Sequence, residues 1–409
     1  MKFKIIKSHS KNLARVGQIE TSHGTIETPA FIVGGTKATV KALTIDQIKN
    51  LNSQAILANT YHLMLQPGAE IIQQANGLAS FMGYDGPTFT DSGGFQIFSL
   101  GLAYKQNLKD MTNSQNSNHK LKFSKGLINV SDDGVEFKSH LDGTKYFMSP
   151  EKSMKIQHQI GADIHMAFDQ LTTPLADQST IEEACRRTHE WAARSLAQHQ
   201  LLNHQHKKNQ QPEQSLYGIV QGSRIKNLRI ESAKIINSLG FDGFAIGGIF
   251  EPTEINQVLG WIMPKLTLDK PKHLLGMGAQ PLDLFLGIEN GIDTFDCVAP
   301  TRQARNGALY TSNGRINITN QQFKTNYDPI DKNCRCYTCL NHTQSYLNHL
   351  FKANELLAYT LSSIHNEYFV VNLVNQIRQS ILNENYQDFK ESFLNNYYYK
   401  QLDSIKNFI

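Results

Sequence analysis

The chain has 409 residues, 40% of them hydrophobic, and a formal net charge of +4 at neutral pH. That supports one large domain with an appendage, or two domains, and the absence of any long uninterrupted apolar run argues against a transmembrane helix. The mild positive charge admits a polyanionic partner without demanding one, and the first residues are too basic and too poor in apolar side chains for a signal peptide, so the cytoplasm is the expected compartment.

Up to Pro29 the chain alternates weakly and carries turn formers, which predicts an N-terminal hairpin closing one end of a larger fold. Short apolar or β-branched runs then recur at Ala30–Val33, Ala55–Ala58, Thr88–Thr90, Asp163–Phe168, Leu216–Val220, Gly243–Ile246, His273–Gly276 and Asp293–Phe295. Stretches of helical periodicity separate most of them: Thr44–Leu51, Glu151–Ile160, Ile181–Leu202, Lys226–Leu239 and Pro281–Asn290. Strands alternating with helices in this way predict an α/β fold, a parallel (β/α)8 TIM barrel. An open doubly wound sheet is the alternative, but no glycine-rich dinucleotide fingerprint follows the first strand. The polar segment 105–125 is expected to be a mobile insertion. The tract His199–Gln214 is read as a solvated loop, with metal binding by its histidines as the other possibility.

Polar residues stand just after the strands. Asn59 follows the second, Asp91 the third, Asp169 the fourth, Gln221 the fifth, Gly247-Gly248 the sixth, Gly276-Met277-Gly278 the seventh and Asp296 the eighth. In a barrel of this type the loops at the C-terminal strand ends converge on the active site, so this set predicts a polar mouth with three carboxylates. The eighth strand leads into Thr294-Phe-Asp-Cys-Val-Ala-Pro-Thr-Arg-Gln-Ala-Arg-Asn-Gly307, with a turn expected at Pro300 and arginines at 302 and 305. No acidic residue occurs from Val298 to Tyr327, while Arg302, Arg305, Arg315 and Lys324 are cationic. A carboxylate beside an acid-free cationic loop suits a reactive anion next to a phosphate-bearing substrate. Taken alone, the stretch also fits an aspartate capping a turn beside solvated arginines.

Five cysteines occur, at 185, 297, 334, 336 and 339. An odd number with three packed into Cys334-Arg-Cys336-Tyr-Thr-Cys339 argues for a metal rather than disulfides. Thiolates at this density favour tetrahedral zinc in a structural site. The fourth ligand comes from His342, His349 or His365; His342 makes a cramped chelate, whereas one helical run from Gln344 to Ile364 would carry His365 back to the knuckle. Cys185 and Cys297 are read as buried packing.

Asp91-Ser-Gly-Gly-Phe-Gln-Ile-Phe-Ser-Leu100, Ala167-Phe-Asp169, Gly218-Ile-Val-Gln-Gly222, Ala245-Ile-Gly-Gly248, Gly291-Ile-Asp-Thr-Phe-Asp-Cys-Val298, Pro300-Thr-Arg302, Ala304-Arg-Asn-Gly307 and the Cys334–Cys339 knuckle together resemble the bacterial-type tRNA-guanine transglycosylases, or queuine tRNA-ribosyltransferases. The resemblance runs from about residue 3 to about residue 380. It implies a zinc-containing TIM barrel, with a catalytic barrel over 1–300, an anticodon-contacting and zinc-binding segment over 301–382 and a tail over 383–409.

The activity it implies is exchange of guanine at wobble position 34 of GUN-anticodon tRNAs for a 7-deazaguanine, preQ1 or queuine. Asp296 would be the nucleophile and Asp91 the general acid/base. Asp169, Gln221 and the Gly248 N–H would read the base, Phe95 would stack on it, and Ser92, Gly93 and Gly94 would complete the substrate pocket. Met277, Gly278, Ala279, Gln280, Pro281, Leu282 and Asp283, with Thr301, Arg302, Gln303, Ala304 and Arg305, would hold the anticodon loop. Cys334, Cys336, Cys339 and His365 would bind one structural zinc per subunit, and the resemblance also implies a homodimer with one subunit orienting the tRNA that the other modifies.

The chain departs from the family pattern in three places. Ile249-Phe250-Glu251-Pro252 is about two residues shorter than usual, Gly278-Ala-Gln-Pro281 about one longer, and 105–125 has no counterpart. The first lies where the 7-substituent would sit, which leaves the choice between preQ1 and queuine open. A paralogue that inserts a deazapurine into DNA, a non-catalytic tRNA-binding homologue and a sugar-active barrel hydrolase are the competing readings. The retained Asp91 and Asp296 disfavour the second, and the cysteine knuckle the third.

Overall fold

A computed structural model of the chain describes residues 1–103, 128–173, 175–248 and 252–399. The polar segment 105–125, the loop residues 249–251 and the tail beyond Tyr399 lie outside the described residues.

All the expected barrel strands are present: Ala30–Gly34, Ile56–Ala58, Thr88–Thr90, Ile164–Met166, Ser215–Val220, Gly243–Ile246, Lys272–Leu274 and Thr294–Cys297. They hydrogen-bond in chain order, and the last pairs with the first in parallel, so the barrel is closed. Nearly every strand residue is buried, as parallel strands covered on both faces must be. Among the described residues no helix is long and apolar enough to cross a membrane.

Two compact units make up the chain. The first comprises Ala58–His273 with Met1 and Thr21–His23. Its helix Pro150–Ile160 starts at Ser149, whose Oγ accepts from the Lys152 N–H at 3.2 Å, and stops at Gly161 in the left-handed region (φ 75°). That helix packs on the long helix Gln178–Lys208. Trp191 on the long helix is fully buried, donates from Nε1 to the Asp132 carbonyl at 2.7 Å and stacks on Phe168. A three-stranded antiparallel sheet, Ile128–Val130, Val135–Lys138 and Lys145–Met148, was not anticipated from the sequence.

The expected loop at His199–Gln214 is a correction: the helix runs on to Lys208, and His199 is buried. Its ring meets those of His158, from Pro150–Ile160, and His165, from the fourth strand, while His206 lies against His158. The Gln214 backbone fixes the Asn203 amide, which donates to His199 Nε2 at 3.0 Å. The His199 proton is therefore on Nδ1, donated to His158 Nε2 at 2.9 Å. His165 Nδ1 pairs with Thr90 Oγ1 at 2.8 Å.

Burial keeps this cluster neutral, lowering His165 to about 3 and His199 to about 4 and pushing His158 further down. In the unfolded chain the same rings protonate near their ordinary value of about 6.5. The unfolded state therefore binds more protons below that pH, and stability is present above about 6.5 and lost as pH falls towards 4. Each histidine contributes roughly 1.4 kcal/mol per pH unit in that window. Denaturant melts at pH 7 and pH 5 should differ by several kcal/mol, and equal midpoints would contradict this account.

The second unit comprises Lys2–Glu20, Gly24–Leu57 and Leu274–Ile409. The N-terminal segment forms antiparallel strands rather than a lone hairpin, ordered Lys2–Ser8, Arg15–Thr21, Gly24–Thr28. Arg15 makes a bidentate pair with Asp293 at 2.8 and 2.6 Å, both residues buried, which ties this sheet to the start of the eighth strand. The expected single run Gln344–Ile364 is instead two helices, Gln344–Lys352 and Leu356–Leu382. Asn354, in the left-handed region at φ 57°, makes the break. In the tail, Tyr397 is buried against Phe369 and Phe393.

Candidate active site and metal centre

In the first unit, Asp91 directly follows the third strand. Its Oδ1 accepts from the backbone N–H of Thr60 at 2.9 Å and of Gly93 at 3.1 Å, and its Oδ2 accepts from Asn59 Nδ2. Asn59 is itself held as the cap of helix Thr60–Leu65, its Oδ1 accepting from the His62 N–H at 3.1 Å. Thr60 Oγ1 donates back to the Asp91 carbonyl at 2.5 Å. The carboxylate is thus fixed in orientation while remaining half-buried.

Asp169, after the fourth strand, is buried between two side chains. Ser92 Oγ donates to its Oδ1 at 3.1 Å and Gln221 Nε2 to its Oδ2 at 2.7 Å. Burial raises its pKa to about 6, against the opposing pull of these hydrogen bonds. Gly94 must lack a side chain here: a Cβ would stand 2.7 Å from the Asp169 carbonyl. Phe95 beside it exposes 51% of its surface, unusual for an aromatic. At the sixth strand's end a Cβ on Gly247 would meet Gln221 Nε2 at 2.6 Å, and one on Gly248 (φ 107°) would meet Arg229 Nη2 at 2.5 Å.

Arg229 went unnoticed in the sequence. On helix Lys226–Ser238 it is fully buried, donating from Nη1 to the carbonyls of Val220 and Gly247 at 3.0 and 2.7 Å and from Nε to that of Ser223 at 2.8 Å. It joins the ends of the fifth and sixth strands where Gln221 and Gly248 emerge. Ser232 on the same helix accepts from the Gln221 N–H at 3.1 Å. The available signal was spacing: Arg229, Ser232, Ala233 and Ile236 occupy one buried helical stripe.

In the second unit, Asp296 lies opposite Ile32 in the register of the eighth and first strands. Its Oδ1 accepts from the Gly276 N–H at 3.0 Å. Cys297 is buried, with Sγ 3.5 Å from the Gly276 carbonyl and burial pushing its thiol up to about 12, so it is inert packing. Pro300 opens a short helix, Ala299–Arg305, where a turn was expected. Arg302 is exposed, Gln303 and Arg305 are half-buried, and the side chains of Thr301 and Ala304 face inward. In the preceding segment Met277, Ala279 and Gln280 are half-buried, whereas Gly278, Pro281, Leu282 and Asp283 are buried. Asp283 Oδ2 accepts from the Gln280 N–H at 3.0 Å, starting helix Pro281–Glu289, and burial raises its pKa to about 6.

The cysteine knuckle and His365 converge. His365 Nδ1 lies 3.7, 3.6 and 3.3 Å from the sulfurs of Cys334, Cys336 and Cys339, and all four ligand atoms lie within 4.8 Å of one another. Tetrahedral bonds of about 2.0–2.3 Å require ligand separations of roughly this size, so these residues fit a metal ion. His365 Nε2 donates to the Tyr310 carbonyl at 2.6 Å, which leaves Nδ1 to face the sulfurs. His342 instead stacks on Tyr346 outside this cluster. The neighbouring Asn366 donates from Nδ2 to the carbonyls of Pro300 and Ala308 at 3.1 and 2.9 Å and accepts from the Tyr310 N–H at 3.2 Å. One helix therefore carries both the candidate metal ligand His365 and the staple of the arginine segment.

The family model described as Queuine tRNA-ribosyltransferase matches residues 9–399. A protein of that name from Lactococcus lactis subsp. cremoris is 42% identical over 404 residues, covering 98% of this chain and 97% of its own. Another from Bacillus subtilis is 41% identical over 404 residues, with 98% and 97% covered. A third, from Caldanaerobacter subterraneus subsp. tengcongensis, is 41% identical over 401 residues, with 97% and 98% covered.

Proposed function

Since this chain belongs to the queuine tRNA-ribosyltransferase family, we propose that it is a tRNA-guanine transglycosylase of queuosine synthesis, replacing guanine 34 of GUN-anticodon tRNAs (Asp, Asn, His, Tyr) with preQ1 or queuine. Asp296 attacks ribose C1′ of the wobble nucleotide, breaking the bond to guanine and forming a covalent glycosyl-enzyme. Asp91 donates a proton to the departing base. It then takes one from the incoming 7-deazaguanine, which attacks C1′ and releases Asp296, so two displacements retain the configuration. The target lies in an anticodon loop, where turning the base out breaks no pair. Cys334, Cys336, Cys339 and His365 would hold one zinc ion, which with four protein ligands would supply structure rather than chemistry. The working form is a cytoplasmic homodimer.

The observation that most supports this reading is Asp169, a buried carboxylate held by the side chains of Ser92 and Gln221, beside the Gly247-Gly248 turn. An ionised carboxylate accepts from both N1–H and the exocyclic amine of a guanine edge, while Gln221 and the Gly248 N–H address O6. A base without those donors leaves the carboxylate unsatisfied, which gives sharp discrimination.

With its pKa near 6, Asp169 is ionised at pH 7 and protonated below 6. The KM for guanine should rise as pH falls through that value, and Asp169→Asn should raise it about a hundredfold. The deciding assay is exchange of radiolabelled guanine into unmodified tRNA, with preQ1 and queuine as competitors. Incorporation at G34 is expected; label entering DNA but none of the four tRNAs would overturn the reading. Unequal competition is expected if the shortened loop at 249–252 selects the base, and equal use of both would remove that role.

A further inference from the structure

We propose that Arg229 is a positioning residue for base recognition: by gripping the Gly247 carbonyl it turns the Gly247-Gly248 peptide so that the Gly248 N–H stands open towards the base. This rests on the reading above that a guanine-type base is held by Asp169, Gln221 and Gly248.

A trans peptide is planar, so its C=O and N–H point opposite ways. Arg229 Nη1 fixes the Gly247 carbonyl at 2.7 Å, which aims the adjoining Gly248 N–H away from the guanidinium. Among the described residues nothing accepts from that N–H, although Gly248 is half-buried. A donor held open in such a place is completed when a ligand supplies the acceptor. Gly248 stands at φ 107°, and a Cβ there would meet Arg229 Nη2 at 2.5 Å and Gln221 Oε1 at 3.4 Å. The guanidinium and the Gln221 amide therefore both close on this turn, and Gln221 Nε2 goes on to Asp169 Oδ2 at 2.7 Å.

The same side chain shapes the loop that carries Gln221. Arg229 Nε donates to the Ser223 carbonyl at 2.8 Å, and Ser223 occupies the left-handed region at φ 49°. Strained positions of this kind cluster where a loop's shape serves binding. Gly222 passes so close that a Cβ would stand 2.7 Å from the Arg229 backbone nitrogen. The Val220 carbonyl accepts from both Arg229 Nη1 and the Gly247 N–H, each at 3.0 Å. One guanidinium thus ties the peptides that lead into both base readers. Burying that charge is costly, and burial draws its pKa down to about 10, which still leaves it ionised at neutral pH. A tie between strands needs no charge, whereas a charged donor holds a carbonyl more strongly and resists rotation of the peptide. Without Arg229 the peptide is free to turn its carbonyl to the base, setting an acceptor against O6. Recognition of the base's 6-position should then fail, while the edge read by Asp169 is still read.

The test compares Arg229→Met and Arg229→Lys with the parent in the full chain. The lysine variant keeps the buried charge without the planar fork, so it carries the test if thermal melts show that the methionine variant does not fold. Exchange of labelled guanine into unmodified tRNA gives KM for guanine and for tRNA, with 6-thioguanine and hypoxanthine as competitors. The first replaces O6 by a weakly accepting sulfur, and the second lacks the amine that Asp169 reads. The KM for guanine should rise about tenfold, with the KM for tRNA within about twofold of the parent's, and the preference for guanine over 6-thioguanine should fall about tenfold. The preference for guanine over hypoxanthine should persist. A joint fall of both preferences, or an equal rise in both KM values, would overturn the proposal by making Arg229 a general strut. Preferences and KM values equal to the parent's would overturn it as well, and so would a parent that takes 6-thioguanine as readily as guanine, whatever the variants do. If the parent exchanges no guanine into tRNA, the functional reading itself fails; if it does and the variants match it, only the role of Arg229 fails.

Discussion

Asp296→Ala should abolish guanine exchange, with a fall of about 10⁴-fold or more in kcat/KM, because in the proposed mechanism it removes the atom that bonds to C1′. No neighbour can stand in. Cys297 is the adjacent nucleophile by type, but its thiol is buried, packed on Gly276 and held un-ionised at neutral pH. Asp296→Glu keeps the charge but lengthens the arm by a methylene, losing the Gly276 N–H contact now at 3.0 Å. Misplacement on that scale costs about a hundredfold. The measurement is labelled-guanine exchange combined with a denaturing gel for protein-linked tRNA. The parent should show a shifted, heat-stable band and Asp296→Ala none. Exchange within tenfold of the parent would remove Asp296 from the mechanism, and an adduct mapping to another residue would name its replacement.

The barrel was legible because its strands are covered on both faces and several read as short apolar or β-branched runs, such as Ala30–Gly34 or Gly243–Ile246. The polar residues that end those runs were legible for the same reason: they interrupt the pattern. What the sequence hid was decided by tertiary contact. His199 looks solvated in a His/Gln tract, yet it is buried because His158 and Asn203 satisfy both ring nitrogens. Arg229 looks like a surface arginine, yet its guanidinium replaces water at three backbone carbonyls. Asp283, expected beside RNA, has one oxygen committed to starting its own helix. The Val135–Lys138 strand is too short, and too close to the polar segment before it, for its alternation to stand out. A helical run to Ile364 and the resemblance both favour His365 over His342; the run is broken at Asn354, yet His365 still joins the three cysteines.

Loss of the metal should damage RNA binding before it damages base recognition. His365 holds the Tyr310 carbonyl through one nitrogen and faces three sulfurs with the other. Its neighbour Asn366 secures Pro300 in the first turn of helix Ala299–Arg305, which carries the exposed Arg302, and Ala308 and Tyr310 just beyond it. Without an ion the thiolates repel and the histidine loses its anchor, so the staple loosens along with the ligand. His365→Ala should therefore lower stability by about 3–5 kcal/mol, the scale of breaking a buried charged network. It should also raise the KM for tRNA far more than the KM for guanine, whose proposed readers Asp169 and Gln221 belong to the other compact unit. Asn366→Ala separates the two effects: metal analysis should still find one ion per chain, while the KM for tRNA rises roughly tenfold from the loss of hydrogen bonds to buried carbonyls. Equal rises in both KM values for Asn366→Ala would mean general loosening of the fold, and an unchanged KM for tRNA would sever the link between the metal centre and the arginine segment.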